Sequence, residues 1–475
     1  MKTIGRYSMA KNLLMKLFDQ MLYDLSAVPA TSSERTLAVT RQRTRLRKRA
    51  QLGGEKVLHD LALKSFLDLN AEVADSSVSL DKLIVNEARA FIENFLWRFH
   101  DLHSDFNCAP QTSFDLHVIM EHWKFGPGAS NEVKGTHTAE KICQPMTSTP
   151  RCARLVKALR LSHPYLAAFD SQNKNDGITL VDGSRTTTVP KNEDEVRVIA
   201  IEASGNMALQ LAGGQVITNA LRCIGLDITN QQPKNKSLAR RGSIDGSVFT
   251  MDLKKASDRQ LLELMRALWP REWYDFFMTT RSPQTTIKWS NGEVEVVKLN
   301  MLSTMGNGFT FPVMTATLLA LIYANRRVNH GGGRYIDWRT TAVFGDDIIA
   351  PTAEYDSLKQ VLTNAGYVVN HDKSYFEGPF RESCGGDYMN GYDVTPFYVK
   401  SLASLSDKYI VLNQCLSWCA RNNVYMGNTI QYLLSLVGQN IFLVPEWMPN
   451  ESGIRCSDAP RNFNYWRFKS IPKRV

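Results

Sequence analysis

The sequence predicts an α+β fold. Stretches with apolar residues at helical spacing alternate with short apolar runs bounded by turn residues. At 475 residues the chain is long enough for a sizeable core and two or three subdomains. The third observation is one nine-residue stretch, Val343-Phe344-Gly345-Asp346-Asp347-Ile348-Ile349-Ala350-Pro351. Val343 and Phe344 read as the end of one strand and Ile348 to Ala350 as the start of the next, with Gly345-Asp346 as a turn signal between them. A tight hairpin then holds Asp346 and Asp347 at its tip. Two adjacent anions repel, so the stretch has two readings: a divalent metal site, or an exposed acidic turn.

Composition narrows the class. An apolar share of 43% and a charged share of 22% are ordinary for a globular chain. The net charge of +9 and pI of about 9.0 favour a polyanionic partner. The eight cysteines are scattered, with no CxxC pair and no zinc spacing, as in a reduced cytosolic chain. Cys415 and Cys419 are one helical turn apart and read as packing. The longest apolar run, Thr315 to Ala324, is too short to span a membrane. Lys11, Lys16 and Asp19 interrupt any signal-peptide core, and there is no internal repeat.

Taken in order, Ala10 to Leu25 predicts an amphipathic helix through Leu13, Leu14, Leu17, Met21 and Leu22. Arg41, Arg43, Arg45, Arg47, Lys48 and Arg49 follow, as a solvated helix face or a phosphate-contacting patch. Residues 56–123 read as mostly helical, and residues 124–130 as a glycine-bearing loop. Residues 176–202 read as strands. Arg197 interrupts an apolar strand, either for a salt bridge to Glu193 or Glu195, or aimed at phosphate beside Lys191. Asn206 to Ile224 is a helix. Lys234, Lys236, Arg240 and Arg241 form another basic cluster, read as a solvated loop unless RNA passes nearby.

Ser247 to Leu253 predicts a strand delivering Asp252 at its C-terminal end. Ser257 to Trp269 predicts a helix, capped by Ser257 with Gln260 in a capping box and stopped by Pro270. Asp258 lies where a strand-to-helix turn brings it to the same pocket as Asp252. Residues 284–300 predict a hairpin around Ser290-Asn291-Gly292. The glycine-bearing loop Ser303 to Pro312 enters an apolar helix, Val313 to Ala324, and offers amides and small polar side chains to an anionic or ribose ligand. After the Gly-Asp-Asp hairpin come a helix at 354–365, a strand at Tyr367 to Val369, and helices across 405–445. The tail alternates aromatic and basic residues, Arg461, Phe463, Tyr465, Trp466, Arg467, Phe468, Lys469, Lys473 and Arg474, suited to base stacking with phosphate contact or to packing on the core.

These pieces occur in the order of the palm of template-dependent nucleic-acid polymerases. The chemistry explains the order. Nucleotide transfer brings a 3′-hydroxyl to an α-phosphate and expels pyrophosphate. Two divalent ions roughly 3.5–4 Å apart stabilise the attacking and leaving oxygens. Carboxylates from separate strands must hold them, because Mg²⁺ prefers oxygen ligands and keeps substrate phosphates in its shell. Asp252 and Asp346 are the expected principal ligands and Asp347 a secondary one. Arg197 and Lys191 are expected to hold the triphosphate.

From about residue 185 to 400 the chain resembles the replicase catalytic subunit of the positive-strand RNA bacteriophages, the Qβ-like leviviruses. The resemblance rests on Val-Arg-Val-Ile-Ala-Ile-Glu at 196–202, Met-Asp-Leu-Lys-Lys-Ala-Ser-Asp at 251–258 and Arg-Ser-Pro at 281–283. It continues in Ser-Thr-Met-Gly-Asn-Gly-Phe-Thr-Phe at 303–311, Phe-Gly-Asp-Asp-Ile-Ile at 344–349, Glu-Gly-Pro-Phe-Arg-Glu-Ser-Cys-Gly at 377–385 and Asp-Val-Thr-Pro-Phe-Tyr at 393–398. In combination and in order these are highly specific. The first 180 residues and the last 75 match only loosely.

The resemblance implies a right-hand polymerase with fingers, palm and thumb: an N-terminal region and fingers over 1–200, a palm over 201–398 with a fingers-side insertion near 270–300, and a thumb and tail over 399–475. It implies an RNA-directed RNA polymerase in the cytoplasm of a bacterial host, copying single-stranded RNA from ribonucleoside triphosphates without a primer. It implies Mg²⁺ as cofactor, with Mn²⁺ or Ca²⁺ able to substitute. It implies host elongation factors Tu and Ts as partners, often with a small-subunit ribosomal protein, and no membrane. Carried over by position, Asp252, Asp346 and Asp347 bind the metals. Asp258, Ser303 and Asn307 lie around the ribose. Lys191 and Arg197 lie in the nucleotide-entry motif of the fingers. Lys373 takes the place of a general acid for departing pyrophosphate, against a reading as a surface lysine paired with Asp372. The chain departs from the family in Phe344, where Tyr is usual, in Lys254 and Lys255, where small residues are usual and charge is added near the metals, and in being shorter than the best-known member. A reverse transcriptase shares the palm, but Asp258 and Asn307 near the sugar argue against it. A basic RNA-binding scaffold with an incidental acidic turn leaves the separate Asp252 and the Ser/Gly/Asn loop unexplained.

Overall fold

The computed structural model describes residues 2–29, 31–50, 55–103, 113–173, 177–191, 195–460 and 462–465. Arg461 and the tail from Trp466, Cys108, and the turn holding Glu193 lie outside these, as do the side chains of Arg47, Lys48 and Arg49. The chain runs through α1 (Lys2–Ser26), α2 (Ser33–Ala50), α3 (Glu55–Asp75), α4 (Lys82–His103), α5 (Leu116–Glu121), α6 (Thr138–Ile142), β1 (Met146–Ser148), α7 (Ala153–Ser162) and α8 (Pro164–Asn173). Next are β2 (Ile178–Leu180), β3 (Ser184–Pro190), β4 (Val196–Ile201), α9 (Ser204–Cys223), α10 (Gln232–Asp245), β5 (Val248–Met251), α11 (Leu262–Leu268), α12 (Arg271–Thr280), β6 (Gln284–Lys288) and β7 (Val294–Lys298). Then follow α13 (Thr310–Asn329), β8 (Ala342–Phe344), β9 (Asp347–Pro351), α14 (Tyr355–Asn364), β10 (Phe380–Ser383), β11 (Gly386–Met389), β12 (Tyr392–Asp393), α15 (Leu405–Asn422), α16 (Gly427–Val437), β13 (Leu443–Val444) and β14 (Ile454–Arg455).

These elements fall into two compact units, one from residues 1–52, 192–194 and 386–475, the other from 53–191 and 195–385. In the larger unit, α13 is buried on nearly every face from Thr310 to Asn325, as expected of a helix apolar all round. It packs against α4 and α9. Trp269, Trp273, Phe276 and Phe277 add an aromatic cluster, and the buried indole N–H groups are satisfied by Thr317 Oγ1 (3.0 Å) and Ser113 O (3.0 Å). Two sheets frame this core. One is ordered β4-β3-β6-β7, with β3 antiparallel to β4 and parallel to β6. The other is the antiparallel sheet β5-β9-β8.

The smaller unit packs α1 against α16 and α15 against α16. The buried Asp24 carboxylate of α1 accepts from Thr429 N (2.8 Å), Thr429 Oγ1 (2.7 Å) and Asn428 Nδ2 (2.7 Å), satisfying the first turn of α16. Cys415 and Cys419 are both buried on α15.

Four local expectations change. Lys234, Lys236, Arg240 and Arg241 lie on helix α10 and not in a loop. Pro233 opens this helix, Gly246 closes it at φ +64°, and Asn235, Leu238, Ala239 and Gly242 form its buried face. Ser257 does not cap a helix. Residues 256–258 form a 3₁₀ turn, and α11 begins only at Leu262, after Leu261 bridges to Met301. The predicted strand at Tyr367 to Val369 is reduced to one bridge, Leu253 with Val369. The helical run at 405–445 breaks at Asn423, which adopts φ +50°.

Candidate active site

The antiparallel register sets out the carboxylates. β5 pairs with β9 from Val248 opposite Pro351 to Met251 opposite Ile348. Continued by one residue, the same register puts Asp252 opposite Asp347. β8 pairs with β9 through Phe344 opposite Asp347, leaving Gly345-Asp346 as a two-residue turn. Gly345 has φ +62°, the left-handed backbone that glycine adopts without cost at the first turn position. Its N–H donates to Thr315 Oγ1 of α13 (3.1 Å). The hairpin read from the sequence is therefore present, and the strand carrying Asp252 lies beside it.

Each carboxylate has a distinct environment. Asn370 Nδ2 donates to Asp252 Oδ2 (2.7 Å), and Asn370 N donates to Asp252 O (2.9 Å). Asp347 Oδ1 accepts from Cys384 N (3.2 Å) and more weakly from Ser383 Oγ (3.4 Å). Asp346 accepts from its own backbone N–H. Burial pushes the Asp346 carboxyl up to about 6, and the negative charges of Asp252 and Asp347 push the same way. Burial also raises Asp252 and Asp347, and the charge of Glu382 adds to both. Opposing them, Lys373 favours the charged forms of Asp252 and Asp346, and Lys191 that of Asp252. The structure thus brings Lys191, Lys373 and the three aspartates into one electrostatic neighbourhood.

The two lysines and Arg197 are exposed. Lys191 pairs with Glu195 at 2.8 Å. Arg197 sits opposite Val189 on β4. No Lys373–Asp372 ion pair occurs among the described residues. Lys255 Nζ reaches Ser65 Oγ (2.6 Å) and O (3.1 Å) on α3, and its charge favours the ionised form of Asp258. Phe344 packs edge-on against Phe311, with centroids 4.8 Å apart.

The loop 303–308 gathers the remaining predicted residues. Asp258 is buried, its carboxyl pushed up by burial to about 6, and Oδ1 accepts from Met305 N (3.1 Å). Ser303 is buried and its Oγ accepts from Gln260 Nε2 (2.9 Å). Asn307 Oδ1 accepts from Thr304 N (2.8 Å) and Oγ1 (3.0 Å), while Nδ2 donates to Glu202 Oε1 (3.1 Å). Sequence reasoning missed Asn370, Glu382, Ser383, Cys384 and Glu202 as partners. Asn370 lies beside Lys373 in sequence, and the others stand inside the quoted motifs, where position was the only signal.

The donor set is all oxygen and suits a hard divalent cation. Among the described residues no three His, Cys, Asp or Glu side chains converge tightly enough to enclose a metal ion by themselves.

A strand ending in one carboxylate, beside a hairpin tipped by two more and backed by helices, is the palm arrangement of right-hand nucleic-acid polymerases. The α+β polymerase fold agrees with the solved structure of the RNA-dependent RNA polymerase of a human picorbirnavirus, at a TM-score of 0.50 and 11% identity over 89% of this chain and 82% of that one. The family model "RNA replicase, beta-chain" matches residues 68–445, further in both directions than the motifs alone suggest. The chain belongs to the RNA replicase beta-chain family. It is 32% identical over 384 residues to the "RNA-directed RNA polymerase subunit beta" of Escherichia virus Qbeta, covering 76% of this chain and 62% of that one. It is 29% identical over 389 residues to the "RNA-directed RNA polymerase beta chain" of Escherichia phage MS2, covering 82% and 64%. With the subunit beta of Enterobacteria phage SP it shares 38% identity over 236 residues, covering 50% and 39%. The chain therefore spans less than two thirds of the length of these relatives.

Proposed function

We propose that this chain is the catalytic subunit of an RNA-directed RNA polymerase that copies a single-stranded RNA phage genome. The observation that carries the proposal is the register of β5, β9 and β8, which supports three carboxylates at one end of this sheet, within reach of the charges of Lys191 and Lys373. Membership of the replicase family supports the same reading.

Asp252 and Asp346 would hold two Mg²⁺ ions, with Asp347 secondary, and Mn²⁺ or Ca²⁺ able to occupy the same oxygen sites. The chemistry that bound ions supply is Lewis acidity at the attacking and leaving oxygens. The chain's own residues do the rest. Lys191, exposed just after β3, and Arg197, exposed on β4, take the triphosphate oxygens. Asp258, Ser303 and Asn307 frame the ribose and read its 2′-hydroxyl. Lys373 protonates the departing pyrophosphate. The 3′-hydroxyl gives up its proton to solvent and its oxygen bonds to the α-phosphorus as the bond from that phosphorus to pyrophosphate breaks.

The relatives' names, "subunit beta" and "beta chain", support a larger assembly. Host elongation factors Tu and Ts, with a small-subunit ribosomal protein, are the proposed partners, and initiation is proposed to need no primer. The cytoplasm of the bacterial host is the proposed location, in keeping with the phage relatives; no helix among the described residues is long and apolar enough to cross a membrane.

The test is RNA synthesis by the complex recovered from host cytoplasm, with an RNA template, Mg²⁺ and ribonucleotides. Asp346→Asn abolishes synthesis while the fold and RNA binding remain. Undiminished synthesis by that variant sinks the metal assignment. Preference for deoxyribonucleotides points to a reverse transcriptase, and binding without turnover under every factor combination to an RNA-binding scaffold.

A further inference from the structure

One buried acid has no part in the chemistry above. Glu202 follows β4 and is 1% exposed. It stands at the end of the segment 196–202, whose function so far is only to present Arg197. Ser282 Oγ donates to Glu202 Oε2 (2.7 Å) and Asn307 Nδ2 to Oε1 (3.1 Å). The neighbouring Arg281 guanidinium is buried too, and donates to the carbonyls of Leu302 (3.1 Å), Leu299 (2.9 Å) and Met301 (2.8 Å). The Arg-Ser-Pro stretch at 281–283 therefore holds the approach to the loop through its arginine and the Glu202 carboxylate through its serine.

The loop is tied to the same strand by its backbone. Ala200 N donates to Met305 O (2.8 Å), and Gly308 N to Gln210 Oε1 (2.9 Å) on the helix that follows Glu202. At Gly306, φ is +126° and an added Cβ would stand 2.1 Å from Ala200 O, so only glycine allows this approach. The Asn307 amide has two hydrogens and gives one to Glu202, leaving the other for a ligand. Its carbonyl is held by Thr304. Its orientation is thus set from both ends.

We infer that Glu202, held by Ser282 and backed by Arg281, is a positioning residue that joins the Arg197 strand to the 303–308 loop and fixes Asn307 for recognition of the ribose 2′-hydroxyl. The inference rests on the polymerase reading and deepens it. Glu202 touches neither substrate nor metal; it acts through Asn307. A carboxylate is suited to the task because its side-chain partners, Ser282, Asn307 and Gln210, are all donors. An amide at the same place presents an N–H to at least one of them.

The test compares wild type, Glu202→Gln and Ser282→Ala in the full chain. Amide hydrogen exchange over residues 300–310 needs no catalytic activity. Glu202→Gln raises exchange there roughly tenfold, the worth of one or two hydrogen bonds, while residues 343–350 are unchanged. Ser282→Ala moves it the same way by less. Binding of ATP against 2′-deoxy-ATP is then measured in Mg²⁺. Glu202→Gln lowers the preference for ATP by roughly three- to tenfold, with little change for 2′-deoxy-ATP. A merely structural role weakens both nucleotides alike, and that result, or unchanged loop exchange in both variants, overturns the inference. RNA synthesis by the wild-type complex tests the polymerase reading separately, since neither measurement depends on turnover.

Discussion

Gly345→Ala isolates the geometry of the hairpin that carries Asp346. The wild-type residue sits at φ +62°, and a Cβ there would lie 2.7 Å from Phe311 Cε2 and 3.2 Å from Met314 Cε. Left-handed backbone costs an L-residue about 1–2 kcal/mol. The contact adds a second cost. Phe311 cannot simply swing away, because it packs against Phe344 at 4.8 Å and belongs to α13. Overpacking of this kind costs about 1–3 kcal/mol, for a total of roughly 2–5 kcal/mol. Gly246→Ala is the control, since Gly246 has φ +64° and nothing within 4 Å of the added atom. It bears the backbone cost alone, about 1–2 kcal/mol. Urea unfolding followed by tryptophan fluorescence measures both, and the difference between the variants is the contact with Phe311. RNA synthesis, assayed where both are folded, falls further in Gly345→Ala, because relief of the contact displaces the turn that aims Asp346. Equal destabilisation by the two substitutions would refute the reasoning.

Three further outcomes follow from buried groups. Arg381→Met removes donors to the carbonyls of Val248 (2.8 Å), Gly378 (2.8 Å) and Phe380 (2.7 Å) and costs about 3–5 kcal/mol by thermal or urea unfolding, with loss of activity as the 383–384 turn leaves Asp347. Asp24→Ala leaves the first turn of α16 unpaired and costs about 2–4 kcal/mol, read as faster amide exchange along α16. Burial raises the Glu202 carboxyl from 4.5 to about 7 against the pull of its hydrogen-bond donors, so the folded state binds its proton more tightly than the unfolded state. Its stabilising contribution is full below pH 4.5 and is lost as pH rises to about 7; relative to Glu202→Gln, wild type therefore loses on the order of 3 kcal/mol across that window, measured as urea midpoints at pH 4.5 and pH 8.

Legibility followed sequence separation. The hairpin could be read because its turn chemistry and its alternation lie within nine residues. The strand ending at Asp252 and the helices at α9, α13 and α14 were legible for the same local reason. α10 was not, because its buried face includes Asn235 and Gly242, which carry no apolar period, while four basic residues dominate its composition. Asn235 instead donates to Ser383 Oγ (3.2 Å), a partner 148 residues away. Ser257 resembled a cap, but Met305 N claims Asp258 and Met301 claims Leu261, and these non-local bonds outweigh a local capping box. Nothing local in the sequence announces that residues near the N-terminus share a compact unit with residues 386–475.

The same distinction explains why the carboxylates were found and their holders were not. Acidic residues declare themselves by type; the amides and hydroxyls that orient them do not. Asp252 is fixed through Asn370, 118 residues later, and Asp347 through Cys384, 37 residues later. Asp346 has neither device. It sits on a two-residue turn, takes a hydrogen bond from its own backbone, and has the carboxyl pushed up to about 6. Of the three it gains most from a positive partner, because burial and two neighbouring anions oppose its charge. Asp347, by contrast, already spends Oδ1 on the 383–384 turn. These environments support the proposal that Asp346 is a principal ligand; Asp252 and Asp347 each have one oxygen engaged by the protein. Under the proposed metal assignment, removal of Asp346 would take away a cation ligand, whereas removal of Asp347 would also free the turn that Arg381 and Asn235 hold in place.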